Sequence, residues 1–229
     1  MKKFSLKIGI PILLLLISVK SFSQETSVNT KDLTHETMKN VSEGKQIKLI
    51  WWIPIEFWKA TFAEDRDMSE SQIKEFLEFY KPYTLFAVVE GKVGSMGGFT
   101  FVSADSIRKY ISLVDDEKNI YKPVDEDKMS PDLKNLLSIF VPILKNFIGQ
   151  LGENMQFYVF TDIDLKGKRI SDPYSKGFVQ LNIGKDEYKW KTPLCSLLPP
   201  KICPADGESM NGAWEYCLWH GVKLFESKK

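Results

Sequence analysis

The chain has 229 residues, of which 43% are hydrophobic and 13% aromatic, with 31 Lys and Arg against 30 Asp and Glu. A composition this apolar buries a large core and excludes a disordered body. Charge of mixed sign and near balance excludes the basic footprint expected of a nucleic-acid binder and gives no electrostatic hold on anionic lipid.

The N-terminus has the three parts of a secretory signal. Lys2, Lys3 and Lys7 supply the positive leader, and Ile8 to Val19 an apolar stretch broken by Gly9, Pro11 and Ser18. Ser21 and Ser23 then place small residues where a signal peptidase reads. A spanning helix needs roughly 20 apolar residues, so this stretch is short for an anchor. The expectation is export to the periplasm or beyond, cleavage after Ser23, and a product starting at Gln24 with no stable membrane span. That product has 27 basic and 30 acidic residues, a net charge of −3.

Residues 24–45 are polar and read as a flexible or weakly helical lead-in. The body, residues 46–194, opens on a segment from Ile47 to Ile53 that, Lys48 aside, is apolar on both faces, the pattern of a buried strand. Pro54 starts a short helical stretch carrying Phe57, Trp58 and Phe62. With Trp51 and Trp52 these rings form either a core cluster or the lining of a groove, and the core is the simpler expectation.

Ser69 to Gln72 has the spacing of a capping box, followed by Ile73, Phe76, Leu77 and Tyr80 at helical intervals until Pro82. Tyr83–Val89 and Phe99–Val102 have strand character around a turn at Gly94–Gly98. That turn leads to a strand and not to a helix N-terminus, so it does not suit a phosphate. A hairpin turn at Asp115–Asn119 is expected between strands at Tyr110–Val114 and Ile120–Val124.

Ser130-Pro131-Asp132 opens a helix that runs to Gly149 through Pro142. Strands follow at Met155–Thr161, Phe178–Ile183 and Tyr188–Trp190. Between the first two, Asp162 to Gly167 imitates the start of a calcium loop, but Lys166 and Pro173 stand where oxygen ligands belong. The expected architecture is α+β: an antiparallel sheet or sandwich with two inserted helices. A small separate module occupies residues 195–229.

That module holds all three cysteines, Cys195, Cys203 and Cys217. Cys203-Pro204-Ala205-Asp206-Gly207 and Cys217-Leu218-Trp219-His220-Gly221 share one plan, a donor, two residues, a second donor and a glycine. Two intervening residues let both donors reach one ion, and glycine accommodates the turn. The segment resembles the zinc-ribbon family, whose usual pattern is Cys-Pro-x-Cys-Gly twice, with a short hairpin expected around Asn211-Gly212.

The resemblance implies a ribbon fold with zinc on Cys203, Asp206, Cys217 and His220. Asp206 and His220 stand where the family has cysteines, and the carboxylate would be the more exchangeable ligand. A disulfide between Cys203 and Cys217 is the competing arrangement. It suits an oxidising compartment but leaves Asp206 and His220 unexplained. Cys195 paired with His220 as nucleophile and base lacks an orienting third group, so Cys195 reads as a leftover thiol.

Leu197 to Lys201 reads as a stiff linker into the module. The functional expectation is an exported, non-catalytic binding or interaction protein with a structural zinc knuckle. Its partner would be a protein or other envelope component, met through Trp214, Tyr216 and Trp219. Two alternatives are a hydrolase with acidic residues in the body and a protein that handles exchangeable zinc.

Overall fold

The computed structural model describes residues 28–64 and 68–226. The leader and its cleavage region lie outside the described residues. In chain order come α1 (Thr30–Thr37), β1 (Met38–Glu43), β2 (Gln46–Ile53), α2 (Ile55–Glu64), α3 (Glu70–Tyr80), β3 (Tyr83–Val93) and β4 (Phe99–Phe101). There follow α4 (Ala104–Tyr110), β5 (Ile111–Val114), β6 (Ile120–Tyr121), α5 (Pro131–Ile148), α6 (Gln150–Glu153), β7 (Gln156–Thr161), β8 (Gly177–Ile183) and β9 (Asp186–Thr192). The C-terminal module contributes β10 (Lys201–Ile202), β11 (Ser209–Met210) and β12 (Phe225–Glu226). The fold is α+β and its strand pairings are antiparallel.

Three layers make the body. The central sheet runs β1-β2-β3-β4, and β7 pairs the first half of β3 on the side where β4 pairs its end. Register sets Trp52, Phe86 and Tyr158 side by side in one row, and Ile53, Leu85 and Val159 in the adjacent row. Successive side chains of a strand point to opposite faces, so these rows bury against different partners. Ile50, Trp52, Phe86, Val88, Tyr158 and Phe160 pack on Leu113, Val179, Leu181, Tyr188 and Trp190 of the second sheet, ordered β6-β5-β8-β9. Leu49, Trp51, Ile53, Leu85, Ala87 and Val89 pack on Trp58 and Tyr80 of α2 and α3 and on Leu133 and Leu136 of α5. From Leu49 to Ile53, β2 is thus an apolar strand covered on both faces.

Trp51, Trp52 and Trp58 are buried, and Trp58, Phe62, Phe76 and Tyr80 form a chain of ring contacts, so this aromatic cluster is core. The capping box closes at the start of α3, where the Ser69 side chain accepts from Gln72 N and the Gln72 side chain from Ser69 N. The Gly94–Gly98 turn joins β3 to β4, with Gly94 N donating to Gly98 O at 2.6 Å.

Four expectations about layout are corrected. The polar lead-in is part of the body from Thr30 onward: α1 covers the core with Leu33 and Thr37, and β1 pairs residue by residue with β2. Helix formation leaves Thr37 able to accept from two indoles, Trp51 Nε1 at 3.2 Å on Oγ1 and Trp190 Nε1 at 2.8 Å on its carbonyl. Tyr110 ends a helix, α4, that Ser103 caps through Ser106 N, so the following strand starts at Ile111. Six α-helices, not two, lie among the described residues. Finally, Ile120–Val124 pairs only over Ile120 and Tyr121.

Leu33 is fully buried, and removing its side chain leaves a cavity between α1 and the two sheets. Leu33→Ala is expected to cost about 2–5 kcal/mol of stability in urea unfolding. Met96→Ala, at a fully exposed position, is expected to stay within about 0.5 kcal/mol. Equal, small effects at both positions would mean that α1 is not part of the core.

Candidate metal centre

The C-terminal module enters through a 3-10 turn, Cys195–Leu197, held by a single side chain of α1. The Glu36 carboxylate accepts from Cys195 N at 2.6 Å, Ser196 N at 2.8 Å and Ser196 Oγ at 2.7 Å. Leu197 packs in the main core beside Leu194. Residues 195–197 are therefore anchored to the body, and Leu197, the first residue of the expected linker, belongs to the body's core. The next residues, Leu198 and Pro199, lie against Gly212 so closely that a Cβ there would meet Pro199 O at 2.2 Å.

β10 pairs with both β11 and β12, and Cys203, Met210, Cys217 and Leu224 form the module's small core. The two donor-bearing segments fold alike. Cys203 N donates to Glu208 O at 2.9 Å and Gly207 N to Cys203 O at 2.8 Å. Cys217 N donates to Val222 O at 2.8 Å and Gly221 N to Cys217 O at 2.9 Å. Each turn closes on a glycine in the left-handed region, Gly207 at φ +77° and Gly221 at φ +64°, where a side chain would strain it. The turns themselves reverse the chain, and Asn211-Gly212 is the connector between them, not the hairpin tip expected from sequence.

These turns bring Cys203, Cys217 and His220 together with all three donor atoms within 4.8 Å of one another. His220 Nδ1 is 3.5 Å from each sulfur and 3.6 Å from Asp206 Oδ2. Asp206 is outside the tight trio and joins it at the imidazole. Its other oxygen is fixed by Glu208 N at 2.9 Å, leaving Oδ2 to face the centre. Zinc bonds sulfur at about 2.3 Å and nitrogen or oxygen at about 2.0–2.1 Å. In a tetrahedron those lengths separate sulfur from nitrogen by roughly 3.5 Å and nitrogen from oxygen by roughly 3.3 Å. The two sulfurs and the imidazole fit that ion in type and in sulfur–nitrogen spacing, and Asp206 Oδ2 stands near the expected distance from the imidazole alone.

The centre is two-sided. Cys203 and Cys217 are buried and both are free thiols, whereas the His220 and Asp206 side chains are 41% and 37% exposed. Burial pushes the Cys203 thiol up. Burial also acts on Cys217, but the backbone N–H groups of His220 and Trp219 outweigh it and lower that thiol. Asp206 is held below the usual carboxylate range, first by the Glu208 N–H and then by the Cys203 thiol.

Cys195 is elsewhere, in an open cleft of about 500 Å³ between α1 and the module, lined also by His35 and Asn211. Burial and then the Glu36 carboxylate raise its thiol, which disfavours the thiolate a nucleophile needs. Trp214 packs against the module's core, while Tyr216, Leu218, Trp219 and Phe225 are exposed.

The two buried acidic residues of the body are engaged in structure. Glu56 and Asp162 are buried, and Arg169 bridges them at 2.8 Å and 2.9 Å. Asp162 also accepts from Ser171 N at 2.7 Å, and Asp164 accepts from Lys166 N and Lys168 N, both at 2.8 Å. The stretch resembling a calcium loop is a turn whose carboxylates are occupied by protein donors.

No protein-family model, curated protein or solved structure matches the chain.

Arg169→Met would leave two buried carboxylates with only the half-exposed Lys59 ammonium, 3.9 Å from Glu56, as counter-charge. The expected loss is about 3–5 kcal/mol near neutral pH. The orphaned carboxylates would bind protons more tightly folded than unfolded. The variant's stability, relative to the parent, should therefore recover on acidification and fall as pH rises through the raised folded-state values. Denaturant midpoints across pH that show a pH-independent deficit would contradict this account. In the module, Gly212→Ala should destabilise through its contact with the Pro199 carbonyl, and a neutral effect would mean that Leu198 and Pro199 do not pack there.

Proposed function

We propose that the chain is an exported, non-catalytic binding or interaction protein whose C-terminal module folds around one structural zinc ion. One observation carries the metal: two sulfurs and an imidazole nitrogen converge within 4.8 Å of one another from two matching turns, with a carboxylate oxygen 3.6 Å from the imidazole. Cys203, Cys217, His220 and Asp206 would hold the ion. Zinc would supply folding energy to a module whose buried apolar cluster is small, Cys203, Met210, Cys217 and Leu224 with Trp214 and Val222 against it. Export is supported by the leader at residues 1–23, and among the described residues no helix is long and apolar enough to cross a membrane.

A binding role, with a protein or another envelope component as partner, is supported by the exposed Tyr216, Leu218, Trp219 and Phe225 on the module. The non-catalytic assignment is supported by Glu56 and Asp162, whose carboxylates are committed to Arg169. The exposure of His220 and Asp206 favours a second reading, in which the zinc is exchangeable and its handling is the function.

Native mass spectrometry of the reduced protein, with and without chelator, tests the centre. One zinc per chain is expected, lost to the chelator. Retention should be abolished in Cys203→Ser, strongly weakened in His220→Ala and least weakened in Asp206→Ala, which removes the outermost donor. A reduced chain that takes up no zinc would refute the proposal. A chain that keeps its fold when stripped, by circular dichroism, would favour exchangeable over structural zinc.

A further inference from the structure

The two sulfurs of the centre are also placed for a bond to each other. Cys203 and Cys217 are free thiols, buried on two adjacent turns, with their sulfurs inside the same 4.8 Å group. A zinc-bound pair in a tetrahedron has sulfurs roughly 3.8 Å apart, and a disulfide needs about 2.05 Å. Each sulfur has then to move by about 1 Å, within the reach of side-chain torsions. The other side of the centre is open, because His220 and Asp206 are 41% and 37% exposed. Solvent-borne reagents therefore reach His220 and Asp206 without the module unfolding, and a swing of the exposed imidazole uncovers the sulfurs 3.5 Å from it.

We infer that a metal ion and a Cys203–Cys217 disulfide are alternative states of this one centre, so that a small-molecule disulfide in the surroundings expels the metal and reduction restores it. This rests on the proposal that the centre holds zinc. One cysteine sulfur attacks the disulfide RSSR, breaking its S–S bond, forming a mixed disulfide and releasing one RSH. The second cysteine sulfur attacks the protein sulfur of that mixed disulfide and releases the second RSH. The two cysteines lose two electrons and RSSR gains them. Protons that the thiols would otherwise carry end on the two RSH molecules, or are taken from water when the thiolates were metal-bound. Zinc leaves as the divalent ion.

After closure only His220 and Asp206 remain as donors, too few for a tetrahedral protein site. The new bond joins the same two turns that the metal joined. The module is expected to stay folded in both states, and the output is metal release.

The test uses the full chain in a Cys195→Ser background, so that only Cys203 and Cys217 can pair. Zinc-loaded protein, and the same protein stripped with chelator, are each exposed to oxidised glutathione and weighed by native and denaturing mass spectrometry. The stripped chain should lose two hydrogens, about 2 Da, carry no glutathione and fail to rebind zinc until treated with dithiothreitol. The loaded chain should react more slowly. The same masses on the unsubstituted chain, with the bridge located by peptide mapping, keep the test decisive if the Cys195 variant does not fold. Stable glutathione adducts without the loss of two hydrogens, or a bridged chain that still binds one zinc, would overturn the switch while leaving the zinc centre standing. A reduced chain that binds no zinc would overturn both.

Discussion

The paired middles of β2 and β3 have no face to give to water, and the rest of the body follows from that. β2 and β3 expose apolar side chains alternately to both sides, and the buried residues divide cleanly by strand parity between two clusters. A sheet of this kind requires two covering layers, here a second sheet on one side and α2, α3 and α5 on the other. Trp190 shows how closely the layers engage: it meets Trp52 and Phe86 at centroid distances of 5.9 and 5.6 Å. Such large rings bury much apolar area, but each buried indole N–H requires an acceptor. Thr37, from a segment with little apolar content, supplies acceptors to Trp51 and Trp190 on opposite sides of the sheet.

That role makes α1 the link between the two parts of the molecule. Leu33 and Thr37, four residues apart, share its buried face, while Glu36 reaches the start of the C-terminal module. Three donors converge on that one carboxylate. Charge-assisted bonds of this kind are stronger than neutral ones, so the first turn of the module takes its position from the body. Farther along, the two matching turns take theirs from local backbone bonds and, on the proposed reading, from the metal.

The parts of this fold legible in the sequence are those whose cause is local. The double-sided apolar run of β2, the Ser69–Gln72 capping box and the two donor-x-x-donor-Gly segments each carry their signal within a few residues. What was not legible depends on partners far along the chain. Residues 30–43 look polar because β1 faces water over most of its length, and Leu33 and Thr37 are too few to mark a core helix. Glu36 gives no sign of its role, because its three donors lie about 160 positions away. Asn211-Gly212 has the composition of a hairpin tip, yet Gly212 is needed for its contact with the Pro199 carbonyl. The placement of Asp206 at the edge of the trio likewise depends on how two separate turns dock, which spacing within either turn does not fix.

On the proposed reading, metal and surface would be coupled through the second turn. Leu218 and Trp219, 67% and 75% exposed, lie between Cys217 and His220. The turn has no side-chain core of its own at that point, since only Cys217 of the four residues is buried. An ion held by Cys217 and His220 would fix both ends of this dipeptide, and with them the direction in which the leucine and the indole project. Ordering an exposed side chain on binding costs free energy, and a turn already fixed by its ligands reduces that cost. A disulfide would fix only the Cys217 end, leaving His220 free to move. The two states of the centre would therefore differ not in whether the module is folded but in how firmly it presents its most exposed apolar residues.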